Sequence, residues 1–197
     1  MYTIKEIKEK KIIINKSKFI SKSYFVNTVS DIHNILDSIK NKYNDATHIC
    51  YAYKIDNNIR YIDDNEPNNT AGLPIYNVIE KNNLNHVLVI VIRYFGGIKL
   101  GAGGLTRAYS NSASLVINEN ITELIKGYKV QITLDYNSIK DVKYILKNEK
   151  IIDKDYNNII TITIELPANK LEILKEKLSN HIKSFNIIDN TYIRKLF

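Results

Sequence analysis

Two different periods of hydrophobic and polar residues run along the first 120 positions of the chain. Short runs rich in β-branched and aromatic residues predict strands, at residues 10–15, 19–26, 47–55, 59–62 and 86–94. Apolar residues at helical spacing predict helices, at residues 31–43, 70–81 and 105–119. The run at 86–94 is continuously apolar, which predicts a central strand covered on both faces.

The helix ends and faces can also be predicted from residue types. Ser30 and Thr70 stand where the first two helices would begin, and both residue types are good N-caps. The third helix has an apolar face with several small residues, made by Leu105, Ala108, Tyr109, Ser112, Ala113 and Val116. Small residues on that face predict a close approach between the helix and the sheet.

The last 70 residues or so have a pattern of their own. Strands are predicted at 129–136, 150–153, 158–166 and 187–193. Two helices fall between them, marked by Ile139, Val142 and Leu146 and by Leu171, Leu174, Leu178 and Ile182. The order βαββαβ is that of a ferredoxin-like domain. Because residues 120–128 show no strong pattern, the prediction is an α+β protein with domains at 1–122 and 128–197.

Composition and charge narrow the class of protein. The 197 residues are 25% charged and 44% hydrophobic, which is ordinary for a globular protein, and the net charge is +7. The positive excess is spread over both halves, so it favours polyanions without forming a basic arm. A single cysteine, Cys50, excludes an internal disulfide and a thiolate metal cluster. The amino terminus has no apolar signal region and no apolar run reaches membrane length, which predicts a cytoplasmic protein with no membrane partner. A monomer is favoured.

The glycine-rich stretch at residues 93–109 is the strongest candidate for a binding site. Five of the 7 glycines lie in it, namely Gly96, Gly97, Gly101, Gly103 and Gly104. It joins a predicted buried strand to a predicted helix, the geometry in which backbone N–H groups and the helix dipole attract an anion. Arg93, Lys99 and Arg107 bracket it, which predicts an anion or nucleic-acid site. The alternative is that the glycines serve only tight packing.

Two familiar phosphate-binding motifs are excluded in this stretch. The Walker A motif requires Gly-Lys-Ser/Thr at its end, whereas Ala102 and Gly103 follow Gly101 here. The dinucleotide motif G-x-G-x-x-G requires a third glycine where Thr106 stands. Any phosphate site in this stretch would therefore be of a looser kind.

An acidic loop follows the fourth predicted strand, with Asp63, Asp64 and Glu66 close together. Three carboxylates within four residues could hold a hard cation such as Mg²⁺. Asp and Asn before a proline are equally normal in a turn. A third possibility is that the acids pair with Arg93 or Arg107 and position the glycine stretch.

His48, Cys50 and the tyrosines are weaker candidates for catalysis or ligand binding. His48 and Cys50 are two apart on one predicted strand and so share a face, but a nucleophilic pair would need an orienting third group. Buried packing of Cys50 is favoured, because its neighbours are mostly apolar. The chain has 14 tyrosines, which could stack on nucleobases or simply fill half-buried strands.

Several ordered motifs in residues 1–120 resemble the IMPACT family. They are Ser17-Lys18-Phe19-Ile20, Ala46-Thr47-His48, Cys50-Tyr51-Ala52-Tyr53, Asp63-Asp64 with Glu66-Pro67, Thr70-Ala71-Gly72 with Pro74, and the block at 93–110. That last block is highly specific to the family. The sequence differs from the family pattern at Asn65, at Asn68-Asn69 and at Leu73, where Gly, Ser-Gly and a basic residue are usual. Asn readily adopts left-handed backbone, so the turn can survive, but a strict catalytic role for the loop is disfavoured.

The resemblance implies a fold and a set of functions. It implies an amino-terminal domain of the ribosomal-protein type, akin to domain IV of elongation factor G, and a ferredoxin-like domain akin to domain V. Eukaryotic members regulate translation under amino-acid starvation through protein partners. The leading hypothesis is therefore an RNA- or ribosome-associated protein that modulates translation. The alternatives are a metal-assisted enzyme acting on a phosphorylated or nucleotide substrate, and a protein-binding translational regulator.

Overall fold

The structure is a computed structural model that describes residues 1–195. These residues form two compact units, Met1–Glu123 and Leu124–Lys195. Each unit has a hydrophobic core of its own. Within the described residues, none of the helices combines the length and the apolar character needed to span a bilayer.

The first unit is built on a five-stranded antiparallel sheet with helices on both faces. Its elements are β1 (Tyr2–Ile4), β2 (Lys8–Ile14), β3 (Ser17–Phe25), α1 (Val29–Lys42), β4 (His48–Ile55), β5 (Asn58–Ile62), α2 (Gly72–Lys81), β6 (Val87–Tyr94) and α3 (Gly101–Ile117). The strand order in the sheet is β2-β3-β6-β4-β5. The predicted strands and helices of this unit are thereby confirmed, with shifted ends.

Strand β6 lies at the centre of this sheet and is covered on both sides, as its apolar run predicted. Alternate side chains point to opposite faces of a strand. Leu88, Ile90 and Ile92 pack in the core with α1, whereas Val89 and Val91 pack in the core with α2 and α3. Residues 87–93 of the strand are buried, and the strand ends at Tyr94. The burial of this run fixes the position where the glycine stretch begins.

The two predicted N-caps are wrong. Helix α1 is capped by Thr28, whose Oγ1 accepts a hydrogen bond from Asp31 N at 3.1 Å. The Asp31 carboxylate accepts from Thr28 N at 2.9 Å, which completes a capping box and places Ser30 inside the first turn. The Thr70 hydroxyl donates to the Pro67 carbonyl at 2.6 Å and caps no helix.

Helix α3 begins four residues earlier than predicted, at Gly101 rather than Leu105. Each glycine inside a helix costs about 1 kcal/mol relative to alanine, so propensity alone favours the later start. The earlier start is compatible with tertiary packing, because Leu100 packs against the hydrophobic core just before the first turn. Three of the five clustered glycines are therefore helical, and the strand-to-helix connection is only residues 95–100.

The region predicted to lie between the domains is a continuous strand, β7 (Ile121–Leu134). Its first residues pair antiparallel with β1, from Tyr2 opposite Glu123 to Ile4 opposite Ile121. Strand β1 has only three residues, too few for a periodic pattern to show in the sequence. The predicted division at 120–128 thus falls on paired strand.

The second unit confirms the predicted βαββαβ order. After β7 come α4 (Ile139–Ile145), β8 (Lys150–Tyr156), β9 (Ile160–Pro167), α5 (Leu171–Leu178) and β10 (Ser184–Arg194). Antiparallel pairing gives the strand order β10-β7-β9-β8, so the first and third strands of the unit lie at its centre. This arrangement is the ferredoxin-like fold. The chain is a two-domain α+β protein.

Candidate functional site

The acidic loop and the glycine stretch face each other across one cleft in the first unit. The cleft has a volume of about 410 Å³. The acidic loop contributes Glu66 and Pro67, and the glycine stretch contributes Arg93, Lys99 and Gly101. The other lining residues are Thr47 and His48, together with Phe95, Leu100, Ala102 and Leu105 from the same glycine stretch. Two segments that are about 30 positions apart in the sequence therefore form one site.

A buried ion pair joins the two segments. Arg93 Nη1 donates to Glu66 Oε1 at 2.6 Å, and the two side chains are only 5% and 3% exposed. The guanidinium carbon of Arg93 lies 5.5 Å from the ring centroids of both Phe19 and Phe95. Its Nη2 donates to Ser17 Oγ at 3.3 Å. Among the described residues, Arg93 Nε is buried with no hydrogen-bond partner.

The Glu66 carboxylate is also held by helix α3. Tyr109 donates from its hydroxyl to Glu66 Oε1 at 2.7 Å. The Cys50 thiol donates to the Asp63 carbonyl at 3.0 Å and lies 3.4 Å from the Tyr109 hydroxyl. Burial raises the pKa of both Cys50 and Tyr109 well above their ordinary values, so both groups stay neutral. Cys50 is thus a packed, unreactive thiol rather than a nucleophile.

The two aspartates of the acidic loop hydrogen-bond to backbone N–H groups. Asp63 Oδ1 accepts from Ala71 N and Gly72 N at 2.9 Å and 2.8 Å, where helix α2 begins. Asp63 therefore satisfies the helix start that Thr70 was predicted to cap. Asp64 Oδ2 accepts from Ile49 N at 2.6 Å. These contacts tie the loop to α2 and to β4.

Protein donors engage all three carboxylates of the acidic loop. Asp63, Asp64 and Glu66 each have at least one oxygen engaged by a protein donor. Across residues 1–195, no group of three or more His, Cys, Asp and Glu side chains is arranged to hold a metal ion. A Mg²⁺ ion at this loop stays a prediction. The contacts fit the third possibility, in which the acidic loop positions the glycine stretch.

Different structural requirements explain why glycine stands at different positions of the cluster. A Cβ on Gly96 would lie 2.0 Å from the Lys16 carbonyl carbon, so close packing requires that glycine. Gly97 and Gly101 have φ angles of +84° and +67°, which side chains rarely adopt. A Cβ on Gly103 would meet nothing closer than Arg107 Nη1 at 3.9 Å, and its φ is not positive. Tight packing therefore does not explain the whole cluster.

The amino terminus of helix α3 is open and flanked by cations. Its N-cap residue, Leu100, provides no side-chain hydrogen bond, and Gly101 and Gly103 in the first turn are exposed. The first N–H groups of a helix have no partner within it and form the positive end of its dipole. Lys99 precedes this turn, and the Arg107 guanidinium lies beside Gly103 without lining the cleft. This end of the helix can accept an anion.

Several residues of the site were not predicted to belong to it, among them Ser17, Thr47, His48 and Phe95. His48 Nδ1 lies 2.7 Å from the Asp64 carbonyl, and its Nε2 lies 3.8 Å from Glu66 Oε1. Thr47 Oγ1 accepts from Phe95 N at 2.9 Å, which fixes the backbone that carries the Phe95 ring. All four lie inside the motifs that resemble the IMPACT family, so those motifs were the signal that could have found them.

Sequence comparisons match both units. Residues 15–117 match the Impact N-terminal domain family, and residues 132–181 match a domain of unknown function, DUF1949. The chain is 34% identical to the IMPACT family member YvyE of Bacillus subtilis, over 92% of this chain and 96% of the relative. It is 28% identical to the IMPACT family member YigZ of Escherichia coli, over 85% and 86%.

Comparisons with solved structures support the fold. A crystal structure of a hypothetical protein matches with a TM-score of 0.63 and 24% identity, over 95% of this chain and 97% of the other. The two-domain translational regulator Yih1 matches with a TM-score of 0.33 and 19% identity, over 58% of this chain and 46% of the other. The first likeness supports the two-domain architecture. The second is too low to carry an argument.

Proposed function

Because this chain belongs to the IMPACT family, we propose that it regulates translation by binding RNA, ribosomal RNA included, at the cleft of its first unit. Eukaryotic members of the family are translational regulators, which supports a role of this class. A role of this kind would be carried out in the cytoplasm. The single observation that supports the RNA-binding step is the open, cation-flanked amino terminus of α3 beside the cleft.

Lys99 and Arg107 are the cations available for phosphate. Both are exposed. Arg93 is different, because its charge is already compensated by Glu66 at 2.6 Å. Phosphate contacts from exposed Lys and Arg release counterions and supply most of the affinity for a nucleic acid. The affinity should therefore depend on Lys99 and Arg107 and fall as salt rises.

The backbone of α3 would act together with these side chains. Phosphate groups bind at helix amino termini because unpaired N–H groups and the helix dipole both favour negative charge. Glycine at positions 101 and 103 keeps that surface free of side-chain atoms. The net charge of +7 adds a weak long-range attraction for any polyanion.

The test is the salt dependence of RNA binding, measured by fluorescence anisotropy with a labelled single-stranded RNA. Lys99→Gln/Arg107→Gln should weaken binding and reduce the slope of log K against log salt by about 1.4, about 0.7 for each lost contact. The matched control is Lys40→Gln/Lys42→Gln, which removes the same charge from α1 on the opposite face of the sheet. The proposal would be contradicted by an RNA affinity that does not change with salt concentration. It would also be contradicted if Lys99→Gln/Arg107→Gln and Lys40→Gln/Lys42→Gln lowered the affinity equally.

A further inference from the structure

The exposed ring of Phe95 gives the cleft a second kind of contact besides the cations. Resting on the RNA-binding function proposed above, we propose that the cleft takes one unstacked nucleotide of single-stranded RNA. The base lies on the Phe95 ring, and the adjoining phosphate lies at the amino terminus of α3. This assigns the cleft to unpaired RNA rather than to the double helix.

Phe95 is held as a platform rather than left as a loose surface residue. Its side chain is 46% exposed although it lines the cleft. The Arg93 guanidinium carbon lies 5.5 Å from its ring centroid, and Arg93 is itself held by Glu66 and Ser17. Thr47 fixes the Phe95 backbone at 2.9 Å. A fixed, half-exposed ring backed by a cation is well suited to stack on a nucleobase.

The shape and lining of the cleft suit a single nucleotide. A volume of about 410 Å³ lies within the range of small-molecule sites. Pro67, Leu100 and Leu105 give it apolar walls, while Lys99 and Gly101 lie on the side of the α3 terminus. A base in a duplex is stacked between its neighbours and cannot reach a ring in a wall. The site therefore discriminates in favour of unpaired nucleotides.

One buried donor in the cleft wall lacks a partner within the described residues. Arg93 is 4% exposed and lines the cleft, yet its Nε has no hydrogen-bond acceptor. Buried N–H groups are nearly always paired, so this donor points to a ligand. An oxygen or ring nitrogen of a bound nucleotide is an acceptor of the kind it lacks.

Gly103 supports the placement of the phosphate. Neither close packing nor positive φ requires a glycine there, and a glycine weakens a helix. The missing side chain leaves the first turn of α3 open beside the Arg107 guanidinium. A phosphate can therefore approach the backbone N–H groups directly.

The experiment uses the full chain and a single-stranded RNA carrying one 2-aminopurine, whose fluorescence is quenched when it stacks. Phe95→Leu should weaken binding roughly 5- to 150-fold, the range for loss of one stacked base. It should also abolish the quenching and leave the salt slope unchanged. Phe95→Trp should keep both the affinity and the quenching of the unchanged protein. Tyr144→Leu is the matched control, because Tyr144 is a 71% exposed aromatic that does not line this cleft.

The outcomes separate this inference from the proposed function. If Phe95→Leu binds and quenches as the unchanged protein does, while Lys99→Gln/Arg107→Gln still weakens binding, the nucleotide subsite is wrong and RNA binding stands. Equal affinity for single strand and duplex also overturns the subsite. If the unchanged protein binds no RNA, both proposals fall. Saturable binding of adenosine 5′-monophosphate, lost in Phe95→Leu without any RNA binding, would make the free nucleotide the ligand and overturn the RNA assignment.

Discussion

Replacing Arg93 by methionine should destabilise the first unit far more than the loss of an ordinary ion pair. The Arg93 and Glu66 side chains are 5% and 3% exposed and lie 2.6 Å apart. Removing the cation leaves the Glu66 carboxylate buried, with the Tyr109 hydroxyl still donating to Oε1 at 2.7 Å and with His48 Nε2 lying 3.8 Å from the same oxygen. Breaking a buried pair in this way costs about 3–5 kcal/mol, because an uncompensated charge stays in the interior.

The matched control is an exposed pair in the same unit. Lys54 and Glu80 lie 2.8 Å apart, but their side chains are 21% and 50% exposed. Water already solvates these groups, so Lys54→Met should cost only about 0–1 kcal/mol. The difference between the two variants isolates the effect of burial, since both changes remove a cation and insert the same side chain.

Cys50 provides a specific readout of the first unit. It is the only cysteine and is 0% exposed, so a thiol reagent reaches it only when that unit opens. The pKa of Cys50 is raised by burial, which keeps the folded thiol protonated and unreactive. With labelling followed at low urea, Arg93→Met should accelerate the reaction roughly 150- to 5,000-fold, the equivalent of 3–5 kcal/mol.

A double variant tests the reason for the effect. In Arg93→Met/Glu66→Met the unpaired charge is gone, so the double change should be less destabilising than Arg93→Met alone. The reasoning is refuted if Arg93→Met accelerates labelling no more than Lys54→Met does. It is equally refuted if the free-energy costs of Arg93→Met and Glu66→Met, each measured alone, add up to the cost of the double variant.

Three further predictions concern the helix cap, the glycines and alkaline pH. Thr28→Ala should cost about 1 kcal/mol in a urea melt, whereas Ser30→Ala should cost a few tenths at most, and equal costs would contradict the capping box. Gly96→Ala should destabilise by about 1–3 kcal/mol or more through its clash with residue 16, whereas Gly103→Ala should be neutral or stabilise by up to about 1 kcal/mol. Burial raises the pKa of Tyr109, so its stabilising contribution is complete below about pH 10 and is lost above it, where the unfolded chain ionises first. Above that pH the free energy of unfolding should fall with pH less steeply in Tyr109→Phe than in the unchanged protein, and the two slopes should differ by about 1.4 kcal/mol per pH unit. Parallel pH profiles would contradict this prediction.

Local patterns were sufficient where burial follows a short period. The apolar run that became β6 and the helical spacing that became α3 each record which side chains face the core. The same periods predicted the βαββαβ order of the second unit, because its strands and helices are long enough to show a hydrophobic pattern. Strand β1 was not predicted, because a strand of three residues is too short to show a period.

Helix ends were harder to predict because they depend on competition between neighbouring groups. Thr28 and Ser30 are chemically similar caps, and the extended backbone at Thr28, whose hydroxyl accepts from Asp31 N, makes Thr28 the cap. Helix α2 begins at Gly72, where Asp63 accepts its backbone hydrogen bonds from nine positions away in the sequence. The start of α3 at Gly101 runs against propensity.

The sequence by itself determined most strands and helices of both units and the βαββαβ order of the second, and it identified a glycine-rich stretch and an acidic loop as candidates for a site. The fold of the first unit followed from the family resemblance. Tertiary structure decided which residues work together: Glu66 with Arg93 and Tyr109, Asp63 with α2, and Phe95 in the lining of the cleft. The physical reason is that a periodic pattern records how each residue meets the core. A buried charge is instead stabilised by whichever donors the fold brings within about 3 Å, and those lie far away in the chain.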